Sequence, residues 1–474
     1  MSRGHRVVIA GAGITGLSAA FALEQARKSG VLVSYTVLEG GDRAGGNIRT
    51  EQHGDYLIDA GPDGFVVTKP AGAALCKAVG LGDQLIETIA ANRRTYVAKG
   101  SRLVPMPEGM LLVAPTDFGA MAGTRLISWG GKLRAGLDLF LPKRSATGDE
   151  SIASFVRRRL GNEMSRTFAE PMLAGIYSGD PEQLSIQATF PMLVGLEREH
   201  GSIIRGAIEQ RRKRPRTNPP PSAFLSLRDG MSSLPKAIVS HLAPDSVRFG
   251  SRVSAIYRLV DGSARWRVEC ENGDSHLADD VILALPPHTS ARLLAPHEDG
   301  AARTLNAIPQ LSTATAFMAW PRAAIPHALD ASGFIVPGRE ELEINASTWV
   351  SSKWPGRAPA DHVLIRVFFG GARWPDQVDL EDEALLSIGR RALERMIGVT
   401  EKPLFERVFR YRSSNPQPTV GHLERISDVH KRCAALGGIY VTGGGYDGVG
   451  IPDCAKQGEA VAKKVLGGAA GGVA

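Results

Sequence analysis

Three glycines, Gly11, Gly13 and Gly16, stand at Gly-x-Gly-x-x-Gly spacing directly after the apolar run Val7-Val8-Ile9-Ala10 and open a helix-like segment from Leu17 to Ala26. Each glycine has its own task in holding a dinucleotide: the first permits a tight turn, the second lets the backbone approach a pyrophosphate, and the third lets helix and strand pack closely. The helix start that follows offers free N–H groups and a partial positive charge to phosphates. A second apolar strand, Ser34 to Leu38, ends on Glu39. A carboxylate at that point accepts hydrogen bonds from a ribose diol, whereas a 2′-phosphate would want an arginine, so the expected ligand is FAD or NAD rather than NADP.

The next residues narrow that choice. Arg43-Ala44-Gly45-Gly46-Asn47-Ile48-Arg49-Thr50 follows the acid directly. Its Arg-x-Gly-Gly pattern resembles FAD enzymes of the amine oxidase and desaturase superfamily. Asp59-Ala60-Gly61-Pro62-Asp63 then reads as a turn whose backbone can lie near a flat ring. Near the other end, the strand Gly438 to Thr442 meets Gly443-Gly444-Gly445, and Ile451-Pro452-Asp453 opens a last helix to about Leu466. That second helix start suits the negative charge of a reduced flavin. The cofactor-binding unit is therefore expected to be discontinuous.

The elements that must position these residues are an α/β arrangement. The sequence assigns 1–75, 225–300 and 410–474 to a Rossmann-like FAD-binding domain, 76–224 to a mainly helical domain, and 301–409 to a mixed-sheet substrate domain. Strands are expected at Val253 to Leu259, Ala264 to Glu271, Ala314 to Trp320, Glu343 to Val350 and His362 to Phe369, with an amphipathic helix at Glu381 to Met396. The basic run Arg211-Arg212-Lys213-Arg214-Pro215-Arg216, passing into Pro219-Pro220-Pro221, reads as a mobile surface loop.

Composition bounds the rest. With 474 residues, 43% of them hydrophobic and 22% charged, the chain has material for about three domains and a large core. The net charge of +7 suits a solvated surface or steering of an anionic substrate, and no nucleic-acid module accompanies it. Cys76, Cys270, Cys433 and Cys454 are far apart, with no Cys-x-x-Cys pair and no Cys/His cluster, so neither a metal site nor a redox dithiol is expected. No apolar run is long enough for a membrane span, the nucleotide fold begins too early to leave room for a signal peptide, and the expected compartment is the cytoplasm.

Four further stretches carry a resemblance. Glu170-Pro171-Met172-Leu173-Ala174-Gly175-Ile176-Tyr177-Ser178-Gly179-Asp180-Pro181, Gly61-Pro62-Asp63-Gly64-Phe65, Leu225-Ser226-Leu227-Arg228-Asp229-Gly230-Met231 and Gly448-Val449-Gly450-Ile451-Pro452-Asp453-Cys454 resemble the porphyrinogen oxidases, in order along nearly the whole chain. The likeness is closest to the soluble bacterial branch, which acts on coproporphyrinogen III, with protoporphyrinogen IX as the alternative. It implies oxidation of a porphyrinogen by FAD with oxygen as acceptor, in heme biosynthesis, with peripheral membrane contact and transient contact with other enzymes of the pathway as further implications.

Carried over by position, the resemblance puts FAD contacts on Gly11, Ala12, Gly13, Ile14, Thr15, Gly16, Glu39, Arg43, Gly46, Gly61, Pro62, Asp63, Gly64, Val253, Val449, Gly450 and Ile451. Gly64 stands where relatives often have a serine. Lys69 and Lys353 are candidates to meet substrate propionates, Arg94 matches an arginine clamp of the mitochondrial and plant relatives, and Ile176 and Tyr177 are expected to wall the pocket. Asp63 is the one candidate to accept a pyrrole proton, with turn stabilisation as its other reading. An amine oxidase would show an aromatic cage beside the C-terminal motif, where only Tyr446 is available, and a flavin-dependent isomerase would make no net redox change.

Overall fold

The structure, a computed structural model, describes residues 4–145, 148–213, 221–260, 262 and 264–471. Its centre is a five-stranded, all-parallel sheet in the spatial order Val247–Arg248, Val33–Leu38, His5–Ala10, Asp280–Leu283, Ile439–Val441. Strands from the start, middle and end of the chain thus lie side by side. The reason is in their composition: Ile9, Val37 and Ile282 are wholly buried, and such near-continuous apolar strands need cover on both faces. The helix Ile14–Lys28 covers one face and packs against the last helix, Ile451–Gly471. The two approach so closely that a Cβ on Gly458 would collide with the Thr15 carbonyl.

A second, mixed sheet of seven strands runs in the order Phe405–Pro416, Gln310–Pro321, His362–Gly370, Ala346–Trp349, Gly333–Ile335, Tyr96–Lys99, Arg102–Pro105. Only the Gly333–Ile335/Tyr96–Lys99 pair is parallel among its registers. One face is packed by the amphipathic helix Asp382–Ile397, through Leu385, Leu393 and Met396 against Met318, Ile365 and Val367. The other face presses Phe317, Leu364 and Phe409 onto Tyr56, Ile58 and Ala60 of the hairpin Thr50–His53/Tyr56–Asp59. This second contact brings the Gly61 turn up to the sheet.

Between the two sheets' sequence segments lies a helical layer that includes Ile152–Leu160, Glu170–Tyr177, Pro191–His200 and Ile203–Lys213. Ser151 caps the first of these, its side chain accepting from Ser154 N at 3.1 Å. The stretch read as mainly helical also holds strands between 85 and 115, of which Tyr96–Lys99 and Arg102–Pro105 join the seven-stranded sheet. These strands are short, four residues each, and give too little alternation to be read locally. Arg211, Arg212 and Lys213, expected in a loop, form the last turn of the helix Ile203–Lys213, where cations complement the carbonyl end. Arg214, Pro215, Arg216, Pro219 and Pro220 lie outside the described residues.

Candidate functional site

At the carboxyl ends of the five parallel strands, where ligands enter open α/β sheets, lies a cleft of about 460 Å³. Its floor is the glycine turn. Gly11 adopts φ +99°, and a Cβ there would come within 2.6 Å of the Ala284 carbonyl. A Cβ on Gly16 would collide with the Gly11 carbonyl, so the helix is held against the strand by the lack of a side chain. Gly13 differs from both: nothing lies within 4 Å of where its Cβ would be. Its bare backbone faces the cleft at the N-cap of the helix Ile14–Lys28, which no side chain caps. That combination fits a pyrophosphate.

Glu39 ends the neighbouring strand. Its Oε2 accepts from Ala12 N at 2.8 Å and its Oε1 from Gly41 N at 2.8 Å, which fixes the carboxylate at the cleft edge. A carboxylate keeps further lone pairs for a diol after two such bonds. On the far side, Gln310 lines the cleft with a buried Oε1 that has no partner, an acceptor left for something not made of protein.

Of the residues assigned to the cofactor, Gly11, Gly13, Ile14, Thr15, Glu39, Gly46, Pro62, Val253, Val449 and Ile451 line this cleft. Ala12, Gly16, Arg43, Gly61, Asp63, Gly64 and Gly450 are not among its lining residues. Arg43 donates to the Ile48 and Gly46 carbonyls, each at 2.8 Å, and so shapes the loop that carries Gly46. Gly64 has the Trp354 ring 2.9 Å from where its Cβ would lie and the Leu225 carbonyl at 2.5 Å, so nothing larger fits. Gly450 accepts from Cys454 N at 2.9 Å and starts the final helix.

Of the two readings of Asp63, the structure displays its place in the turn. Lys353 Nζ donates to its Oδ2 at 2.7 Å and Trp354 Nε1 to the same oxygen at 2.9 Å. Burial works against the ionised form, but the charges of Lys353 and Arg366 and these two hydrogen bonds outweigh it and hold the carboxyl at about 2. Asp63 is therefore a clamped anion on the turn. The turn around it is held from several sides. Ser226 Oγ donates to the Asp63 carbonyl at 2.7 Å. Arg366 donates to the Ala60 and Gly61 carbonyls, each at 2.7 Å. Arg357, wholly buried, reaches Asp59 at 3.2 Å and the Leu227 carbonyl at 2.8 Å. Gly61–Phe65, Leu225–Met231 and Trp354–Arg357, apart in sequence, form one rigid node.

The candidate substrate residues separate. Ile176, half-exposed, and Tyr177 line the cleft. Lys353 is taken up by Asp63. Lys69 Nζ contacts both Asp453 carboxylate oxygens, at 2.6 and 2.8 Å, tying the 61–70 segment to the first turn of the last helix. Arg94 lies apart from the cleft, 3.5 Å from Asp330. Sequence reasoning missed Arg366, Arg357, Arg252, Gln310 and the segment Ser414 to Pro416. Ala284 to Pro287, which also line the cleft, had a signal: they follow a buried strand at its carboxyl end. Arg366 and Ser414 to Pro416 had none, since only the tertiary fold brings them near.

The sequence pattern of a family described as flavin containing amine oxidoreductase matches residues 14–466. The chain is 34% identical over 475 residues to the coproporphyrinogen III oxidase of Bacillus subtilis, covering 98% of this chain and 99% of that one. It is 30% identical to the chloroplastic protoporphyrinogen oxidase of Nicotiana tabacum, covering 97% and 85%. A crystal structure described as a putative protoporphyrinogen oxidase, from Exiguobacterium sp. 255-15, superposes with a TM-score of 0.86 at 32% identity over 98% of each chain.

Proposed function

The chain belongs to the flavin containing amine oxidoreductase family, and from that membership and the cleft we propose that it is an FAD-dependent oxidase that converts coproporphyrinogen III to coproporphyrin III, with oxygen as the final acceptor. The observation that carries the reading is the end-to-end likeness to bacterial coproporphyrinogen III oxidases, 34% over 98% of the chain, together with a Gly13 face left open for a pyrophosphate. The lower identity to the tobacco enzyme, 30%, makes protoporphyrinogen IX the second reading.

A porphyrinogen carries sp³ meso carbons between its pyrroles. Bound FAD supplies the acceptor for the hydride that leaves such a carbon. Aromatisation drives the reaction, so the protein's part is to bind, orient and exclude water. The open N–H groups at Gly13 and Ile14 would hold phosphate oxygens, and Glu39 would take the ribose. The Asp63 node stiffens the Gly61–Gly64 backbone, so that a flat ring laid on it keeps one position. Ile176 and Tyr177 give the macrocycle an apolar wall. Asp63 Oδ2 already accepts from Lys353 and Trp354, so the pyrrole proton would leave to solvent rather than to that carboxylate. The test is direct: the purified protein is expected to be yellow, to release FAD on acid treatment, and to generate the Soret absorbance of a porphyrin from coproporphyrinogen III. A colourless protein, or a yellow one inert to porphyrinogens, would overturn the proposal.

A further inference from the structure

Beside the cleft lies a second cavity of about 270 Å³. The two share Tyr177, Pro416, Gly444, Gly445 and Val449, so Tyr177 and the Gly444–Gly445 backbone border both. Two buried side chains hold this boundary, Gln417 and His422, and neither has a part in the binding scheme above.

The turn from Gly443 to Gly448 cannot fix its own shape. Gly443, Gly444, Gly445 and Gly448 are glycines, and Gly443 and Gly448 sit at φ +127° and +124°. Such a stretch has much backbone freedom to lose. Its two ends are tied to the last helix by Gln457, which accepts from Gly443 N at 3.1 Å and donates to the Gly448 carbonyl at 2.9 Å. The middle is tied at Tyr446. The Tyr446 hydroxyl donates to Ser290 Oγ at 2.9 Å, and the Tyr446 carbonyl accepts from His422 Nε2 at 2.8 Å. His422 opens the helix His422–Leu436, is 3% exposed, and leaves Nδ1 without a partner. Burial lowers its hold on a second proton, and a carbonyl can only accept, so the one ring proton is on Nε2.

Tyr177 is held in a matching way. Gln417, also buried, donates through Nε2 to the Tyr177 carbonyl at 3.1 Å and to the Asn415 carbonyl at 3.0 Å. The chain between Gln417 and His422 is pinned along its length. The Pro418 carbonyl accepts from Ser185 N at 2.8 Å, Val420 N donates to the Gln183 carbonyl at 2.9 Å, and Gly421 N donates to Asp149 Oδ2 at 2.9 Å. One short, immobilised stretch therefore grips the end of the helix Glu170–Tyr177 with one side chain and the glycine turn with another.

We propose that the stretch from Gln417 to His422 is a rigid spacer, with His422 as the positioning residue of the glycine turn and Gln417 as that of Tyr177, so that the backbone offered to the cofactor and the wall offered to the substrate keep one separation. The substrate half rests on the porphyrinogen reading above, and the cofactor half stands without it. The experiment dilutes the holoenzyme and reads released FAD by its fluorescence, then measures kcat and KM for coproporphyrinogen III at saturating FAD. His422→Leu is expected to weaken FAD retention about 10-fold while KM stays within about twofold of native. His422→Gln, whose amide can donate to the same carbonyl, is expected to restore retention to within about twofold. Gln417→Leu should do the reverse, raising KM about 10-fold with FAD retention within about twofold. A merely structural role would lower the melting temperature of every variant without this split. If His422→Leu does not fold, His422→Asn, whose amide is too short for the carbonyl, is read in the same way. Equal FAD retention in native and His422→Leu protein, a folded His422→Gln that holds FAD no better than His422→Leu, or a Gln417→Leu that loses FAD as readily as substrate would overturn the proposal. A native holoenzyme that forms no porphyrin would contradict the porphyrinogen reading instead and leave the FAD comparison to decide the role of His422.

Discussion

Lys353 Nζ lies 2.7 Å from Asp63 Oδ2 and so joins two residues 290 positions apart in the chain. The pair is mostly shielded from water, and it fixes the charge state of the carboxylate beside the cleft. Replacing Lys353 by Met leaves an anion with Trp354 as its nearest donor. The expected loss is about 2 kcal/mol of stability, measured as a shift of the denaturation midpoint. An unchanged midpoint would mean that the pair contributes nothing.

The same pair sets a pH dependence. The Asp63 carboxyl is depressed from 3.8 to about 2. A group with a lowered folded value contributes stability that is fully present above its unfolded value and is lost as pH falls through the folded one. Asp63 should therefore contribute about 2 kcal/mol above pH 4, fading between about pH 4 and pH 2. In Lys353→Met the folded value rises toward the unfolded one, so the contribution should be smaller and the fade should end at higher pH. Acid titration of both proteins, followed by circular dichroism, would show the displacement or its absence.

Gly13 and Gly16 should respond differently to the same substitution. Valine at Gly13 meets open space, so the protein is expected to fold normally and to lose its cofactor. At Gly16 valine collides with the Gly11 carbonyl and should cost about 3 kcal/mol or more in folding itself. Stoichiometric FAD in a folded Gly13→Val protein would show that the pyrophosphate lies elsewhere.

Much of this was legible in the sequence, and the boundary is physical. The glycine turn, Glu39 and the start of the last helix are local: their spacing along a few residues is the geometry that does the work. Four of the five parallel strands were readable because burial leaves an apolar run, whereas the parallel pairing of the partly exposed, two-residue Val247–Arg248 was not. The Asp63 node was not. Lys353 and Asp63 were each singled out, but for separate tasks, and nothing in either stretch records that they meet. Arg366 is invisible for the same reason: it reaches the Ala60 carbonyl from 306 positions away. The strand Phe405–Pro416, which brings Ser414 to Pro416 to the cleft, alternates weakly and was not read as a strand.

Lys69, a candidate for a substrate propionate, has a protein partner in the structure. Its charge is already met by Asp453, in an exposed pair of the kind worth at most about 1 kcal/mol. Lys69→Met is expected to raise KM for the porphyrinogen no more than about twofold, with flavin content unchanged. A tenfold rise would return Lys69 to the substrate.

The thiols are expected to be inert. All four cysteines are free and buried, and burial pushes Cys76 and Cys433 up to about 12 and Cys454 to about 11. A thiol reagent should therefore find no reactive group in the native holoenzyme and four in denaturant. Fast labelling of the native protein would contradict the packing around them.

Oxidation of a porphyrinogen at the Gly11–Gly16 cleft, with coproporphyrinogen III preferred, can be measured outright. The most direct measurement is kcat/KM for coproporphyrinogen III and protoporphyrinogen IX, both prepared anaerobically and assayed in air with the same holoenzyme. Porphyrin is expected to form from coproporphyrinogen III with the higher kcat/KM. A clear advantage for protoporphyrinogen IX would contradict the substrate, and formation of neither porphyrin by a flavin-loaded enzyme would contradict the function.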